Sequence, residues 1–191
     1  MKKSHSMMKR VSWLLLPLFM ILPYTAQAGI SMFLEFSSES GIRGETQDRD
    51  SEGQIDVLEF SEGMSSNPNT GQYGGQSNGR PTANALAVTK YLDSSSPALR
   101  KALVEGRMIQ EVTLRVRKGG SEPFVYFVIK LKKVYVTKVS MGGGGEDARL
   151  SEKVELTFQK VVWTYTPQKA NGAPDTDVIE GWDFVENRAH R

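Results

Sequence analysis

The chain has 191 residues, 24 Lys and Arg against 22 Asp and Glu for a formal net charge of +2, and no cysteine. Disulfides are excluded, so stability must come from an ordinary apolar core or from assembly. Its two histidines are His5 and His190, so Ser-His-Asp, Cys-His and His-rich metal arrangements have no material to build from, which removes most hydrolase templates.

Taken from the start, Lys2, Lys3, Lys9 and Arg10 precede an apolar segment from Val11 to Leu22, which Pro17 interrupts and Pro23 closes, and Ala26-Gln27-Ala28 follows. A basic region, a short apolar region and a small-residue site in this order describe a secretory signal peptide over residues 1–28, cleaved between Ala28 and Gly29. Spanning a bilayer takes about 20 apolar residues, so this run is a poor anchor. As a buried core helix it would lose a backbone hydrogen bond at Pro17. The pair Met7 and Met8 offers alternative starts within the leader. Removing the leader leaves 20 basic against 22 acidic side chains, a net −2. The basic balance thus belongs mostly to the leader, and no nucleic-acid partner is expected. Residues 29–191 are expected to form one exported domain, periplasmic or secreted, with no membrane span.

Runs rich in Val, Ile, Thr and aromatics then recur: "SMFLEF", "GQIDVLEF", "NALAV", "MIQEVTLRVRK", "FVYFVIKLKKVYVTKV", "SEKVELTFQKVVWTYT" and "VIEGWDFVEN". Breaks such as "KGGSEP" and "MGGGGED" separate them, so the reading is mainly β. In "EVTLRVR", Val112, Leu114 and Val116 share one strand face and Thr113, Arg115 and Arg117 the other. "FVYFVI" is apolar on both faces, which suits a central strand or a face that meets another subunit. "KLKKVYVTK" places Lys130 and Lys132 on one face and Lys133 on the other, read as a solvated strand rather than a basic patch.

One segment breaks the β pattern. In "SSSPALRKALVEG", Ser96 is placed to cap a helix, Pro97 fits its first position, Leu99, Ala102 and Leu103 form a stripe, and Gly106 fits just past the end. This predicts one short α-helix, a plug over an open barrel end. Before it, residues Glu62 to Pro81, "EGMSSNPNTGQYGGQSNGRP", form a long polar, glycine-rich loop, of a kind that is usually functional or disordered.

Chemistry is hard to find. Glu35, Glu52, Asp56, Glu59, Glu62, Glu146 and Asp147 include enough carboxylates for a glycosidase-type pair, but spacing brings no two to one pocket, and they read as solvated faces and salt links. "GGGGED" lacks the Lys-Ser/Thr ending of a phosphate loop and reads as a turn. Asp175 to Asp177, "DTD", lacks the glycine and distal glutamate of a calcium loop. His190 is next to the last residue, where fraying is expected. No catalytic, metal or cofactor site is predicted.

Several blocks in order, "GETQDRDSEGQIDVLEFSEGMS", "TKYLDSSSPALRKALVEG", "VTLRVRKGG", "SMGGGGEDARLSEKVELTFQKVVWTYTPQKANGA" and "GW" near the end, resemble the Hcp family, the tube proteins of the bacterial type VI secretion system. The match runs from about Met32 to Asn187. The resemblance implies a curled β-barrel with one short α-helix that assembles as a hexameric ring, with rings stacking into a hollow tube that can carry effectors in its lumen. By position it makes Ser61 a lumen-side residue. It makes the loop holding Ser65, Asn67, Asn69, Gln72, Tyr73, Gln76 and Arg80 the arm that reaches a neighbouring ring, and it puts Glu146 and Asp147 on a ring-surface loop. The implied partners are other copies of the chain, secreted effectors and other parts of the secretion apparatus.

The leader departs from that pattern, because family members ordinarily assemble in the cytoplasm without a cleavable signal. The expectation is therefore a structural, non-enzymatic ring subunit in an exported variant. The alternative is an exported periplasmic or extracellular binding or adhesion module built on the same barrel. A toxin enzyme is a third possibility, but too few residues follow "GWDFVEN" to hold a catalytic extension.

Overall fold

The computed structural model describes residues 29–66, 69–70, 76–77, 79–120 and 122–190. Residues 1–28 lie outside them, so the leader reading, Ala28 included, has no structural counterpart, whereas Gly29 is described. The strands run in chain order as β1 (Ile30–Phe36), β2 (Ile55–Val57), β3 (Glu59–Ser61), β4 (Met64–Ser65), β5 (Asn69–Thr70), β6 (Gln76–Ser77), β7 (Thr82–Ala83) and β8 (Leu86–Tyr91). After α1 (Ser96–Val104) come β9 (Ile109–Lys118), β10 (Phe124–Gly142), β11 (Ser151–Thr157), β12 (Lys160–Tyr165), β13 (Val178–Asp183) and β14 (Arg188–Ala189).

Period-two alternation selects the buried faces. Leu86, Val88 and Lys90 point inward from β8, and Glu152, Val154 and Leu156 from β11. In β9, Val112, Leu114 and Val116 are buried as expected, but Thr113 is buried as well, while Arg115 and Arg117 stay partly open. Residues Phe124–Val128 of β10 are half-buried; the segment runs beside β9 throughout, and from Phe127 onward it is central, with β12 on its other side.

The main sheet has ten strands, and all its pairs are antiparallel. It curls into a barrel without forming a single closed ring of strand pairs, because two segments change partner along their length. The first runs from β2 to β3: β2 pairs with β1, and after Leu58, whose N–H donates to Thr89 O at 2.8 Å, β3 pairs with β8. The second is β10, 19 residues long, which pairs with β9 and β12 in its first part and with β11 from Tyr135 onward. Its bend is at Lys133, where φ is +53°. Across it the inward phase changes from Ile129 and Leu131 to Val134 and Val136, while the register irregularities of β10 lie between Val125 and Phe127 against β9 and between Val136 and Lys138 against β11.

The core is one contiguous cluster that includes Leu34, Ile55, Leu86, Leu99, Ile109, Leu114, Ile129, Leu131, Val154, Leu156 and Val161. The one α-helix among the described residues covers it, with Leu99 and Ala102 buried and Leu103 half-buried. Gly106 follows the helix with φ +58°, the left-handed ending that glycine takes without strain. The expected cap is displaced by one residue. Ser95, not Ser96, is the N-cap, and it makes no side-chain cap bond. The Asp93 carboxylate instead accepts from the Ser95 N–H at 2.9 Å, because the Ser96 hydroxyl is turned into a buried polar cluster.

At the chain end His190 donates its backbone N–H to Gly181 O at 3.0 Å beside β14, and its Nε2 is buried without a hydrogen-bond partner.

Candidate functional site

Among the described residues three surfaces bear on function: the base of the long loop, the glycine-rich loop, and one end of the sheet. The long loop leaves the barrel as a ribbon. β4 and β7 pair through Met64 with Ala83 and Ser65 with Thr82, and the Ser65 and Thr82 hydroxyls are 3.1 Å apart. Ser66 Oγ donates to Gly79 O at 3.0 Å, and farther out Asn69 pairs with Ser77 and Thr70 with Gln76. Asn67, Gln72 and Tyr73 lie outside the described residues.

Both ends of this ribbon are tied to the barrel. At one end the Trp163 indole N–H, on β12, points at the Glu62 carboxylate, 2.9 and 3.2 Å from its two oxygens. Burial pushes the Glu62 carboxyl above its ordinary value, although the indole hydrogen bond pulls the other way. At the other end Arg80 Nη2 donates to the backbone carbonyls of Phe184 and Val185, the latter at 2.7 Å. Ser61 precedes the ribbon, exposed in β3 opposite Ala87, beside Glu59, Phe60, Thr89 and Lys153.

The glycine-rich loop is a closed turn. Asp147 N–H donates to Gly144 O at 3.1 Å, and Gly144 N–H donates to the Asp147 carboxylate at 2.5 Å. Glu146 and Asp147 are both exposed. Just beyond them the Arg149 guanidinium lies 4.5 Å over the Tyr91 ring, at the edge of a cleft of about 200 Å³ that Glu45, Asp56 and Asp93 also line. Among the described residues no hydrogen bond or ion pair joins the long loop to the glycine-rich loop.

Of the carboxylates considered for chemistry, Glu35 meets Arg115, Asp56 accepts from Thr46 at 2.7 Å, and Asp177 accepts from Thr166 at 2.6 Å. Asp175 lies 3.8 Å from Lys169, and on β10 Lys130 lies 3.5 Å from Glu111.

Sequence reading missed a buried charge cluster beneath α1. Lys90 on β8 and Glu152 on β11 are direct cross-strand partners and are almost fully buried. Lys90 Nζ donates to Glu152 at 2.9 Å, Asp93 at 2.7 Å, Tyr91 O at 2.8 Å and Ser96 Oγ at 3.2 Å. The Ser96 hydroxyl donates to Glu152 at 2.6 Å, and Arg100 Nη2 lies 2.8 Å from the other carboxylate oxygen. Burial alone would raise the Glu152 carboxyl, but the Ser96 and Lys90 hydrogen bonds and the charges of Lys90 and Arg100 together hold it below its ordinary value. The available signal was charge in the apolar phase of two strands: Leu86, Val88, Lys90 and Glu152, Val154, Leu156.

The sheet end presents uncovered apolar side chains. Ile30 opposes Lys118, which opposes Phe124, and Tyr165 opposes Val178, while Phe127, on the other side of Tyr165, packs against the core. Ile30 and Val178 are 56% exposed and Tyr165 is 49% exposed, enough to leave a row of apolar surface in water. Ile30, Phe124, Tyr126 and Tyr165 also line an open cleft of about 340 Å³ with Lys118 and Gln168.

Comparison with known proteins places this architecture. Residues 33–165 match the family model described as type VI secretion system effector, Hcp. The chain is 38% identical over 160 residues to Protein hcp1 of Pseudomonas aeruginosa strain PAO1, covering 83% of this chain and 97% of that protein. Among solved structures, one described as a type six secretion system protein superposes with a TM-score of 0.77 at 25% identity, covering 85% of this chain and all of the other. The crystal structure of Hcp1 from Salmonella typhimurium gives a TM-score of 0.69 at 26% identity, covering 86% of this chain and all of the other. With a family model spanning most of the chain and a relative aligned over nearly its whole length, the chain belongs to the Hcp family of type VI secretion system tube proteins.

Proposed function

We propose that residues 29–191 form a non-enzymatic subunit of a hexameric ring that stacks into a tube, and that the chain is exported behind a leader cleaved after Ala28. The ring lumen, with Ser61 on its wall, carries secreted effectors, the long loop reaches the next ring, and Glu146 and Asp147 mark a ring surface that meets the secretion apparatus. Beyond family membership, the observation that carries this reading is the uncovered apolar row at the sheet end: Ile30, Tyr165 and Val178 are half exposed or close to it. An isolated protomer leaves that surface in water, and repeated contact between copies buries it.

The aromatic cleft bounded by Phe124, Tyr126 and Tyr165 favours a second reading, a monomeric exported module that binds a ligand or surface there. Native mass measurement and electron microscopy of the exported protein separate the two. A hexamer that grows into stacks supports the ring subunit. A monomer at every concentration overturns it in favour of the binding module.

A further inference from the structure

The two ends of the long loop are held by neighbouring strands of the same protomer. Glu62 takes its hydrogen bond from Trp163 on β12, and Arg80 gives two to the turn between β13 and β14. β12 and β13 are paired side by side, Trp163 opposite Glu180 and Lys160 opposite Asp183. The two anchor points therefore belong to one stiff hairpin.

The receiving turn is fixed from within the barrel. The Asp183 carboxylate accepts the N–H groups of Val185 and Glu186, each at 2.9 Å, and pairs with Lys160 at 2.8 Å. The Phe184 ring sits edge-on to Phe158 with centroids 5.9 Å apart. The carbonyls of Phe184 and Val185 are thus held in place by contacts that do not involve the loop. On the giving side, Arg80 is followed by Pro81, whose ring fixes φ, and then by β7. Inside the tie, Asn84 N–H donates to Gly63 O at 2.8 Å and the β4–β7 pairs follow.

We propose that Arg80 and Glu62 are positioning residues that fix the course of the β4–β7 ribbon relative to the barrel. The Arg80 guanidinium engages carbonyls of its own protomer and is not a contact to the neighbouring ring. This rests on the reading of the loop as the stacking arm. It changes which residues matter: the inter-ring contact belongs to the ribbon, while Arg80 and Glu62 determine where the ribbon points.

The test compares the exported chain with Arg80→Ala and Trp163→Phe, together with a variant in which Ser65–Arg80 is replaced by a short Gly-Ser turn. Ring mass is read by native mass spectrometry and stacking by the concentration at which tubes appear. Ribbon order is read by amide exchange at Asn84 and the β4–β7 pairs, below the stacking concentration. Arg80→Ala and Trp163→Phe are expected to keep the ring, to speed exchange in the ribbon by about tenfold or more, and to raise the stacking concentration to a similar extent, as follows from losing a charge-assisted or buried hydrogen bond that restrains a local opening.

Weakened stacking by Arg80→Ala with ribbon amides as protected as the parent's would make Arg80 a direct inter-ring contact and overturn the proposal. Unchanged exchange and unchanged stacking in both variants would overturn it as well. If instead the loop-replaced protein still stacks, the stacking-arm reading fails, while the exchange measurement still decides whether the two ties hold the ribbon.

Discussion

Removing Lys90 tests the cluster beneath α1. In Lys90→Met the aliphatic stem is replaced at similar volume but the ammonium is lost, so Glu152, 1% exposed, keeps Ser96 and Arg100 but loses its cross-strand cation. Breaking a buried pair by removing one partner costs about 3–5 kcal/mol when the remaining charge is stranded, and Arg100, still 2.8 Å from the other Glu152 oxygen, puts the expected loss at the lower end. With a urea dependence of about 2 kcal/mol per molar, the unfolding midpoint should fall by roughly 1.5 M. The double variant Lys90→Met/Glu152→Leu removes both charges and should recover most of that loss, since Asp93 keeps its bonds from Ser95 and Arg100 is 38% open to water. Urea titrations of residues 29–191 at one fixed protomer concentration make the comparison, as assembly would otherwise shift the midpoint. The hydrogen bonds and cations around Glu152 hold its folded carboxyl below 4.5. Its contribution is therefore complete above that value and is lost as the pH falls through the lower folded value, so the gap between parent and Lys90→Met should narrow in acid. A midpoint within about 0.3 M of the parent for Lys90→Met, or a double variant no better than the single, would refute the view that the pair locks the helix to the barrel.

Three further outcomes follow from the fold and the leader. Leu99→Ala, at a fully buried position, should cost about 2–5 kcal/mol, with a smaller loss for Leu103→Ala at its half-buried site, both read by thermal melting. Asp183, pulled down to about 2 by Lys160 and by the backbone N–H groups of Glu186 and Val185, should hold the β13–β14 turn through the acid range: its contribution is full above 3.8 and is lost only as the pH falls through about 2, and Asp183→Asn should speed amide exchange at Val185 and Glu186 at neutral pH. Amino-terminal sequencing of exported protein should begin at Gly29, whose carbonyl accepts the Gly119 N–H at 2.9 Å just before β1; an intact Met1 or Met8 in the membrane fraction would refute cleavage.

The strands and the helix were legible because their signals are local. Alternation in "EVTLRVR" and the Leu99 and Ala102 spacing each depend on a few neighbouring residues, and the structure buries those side chains. What escaped depends on distant pairing. "FVYFVIKLKKVYVTKV" shows no break at Lys133, yet there the strand turns from one set of partners to another and its inward phase slips. Ser96 carries a good capping signature, but a cap bond competes with Glu152, which lies far along the chain and draws the hydroxyl away. The same distance hid the two ties of the long loop, since nothing near Glu62 or Arg80 in sequence points to Trp163 or to the carbonyls of Phe184 and Val185.

The strand order also governs how the chain is born. β1 begins at Ile30 and meets the short β2 early, but its longer partner, β9, begins only at Ile109, and the first part of β10 gains its second neighbour only when β12 has been made. An emerging N-terminal half therefore offers β1 only its three pairs with β2, and the loop that must close before β1 gains its seven pairs with β9 is long and entropically costly. On the proposed route through an export channel that accepts only unfolded substrates, this delay would be an advantage built into topology: the full set of strand pairs cannot form before most of the chain has been delivered.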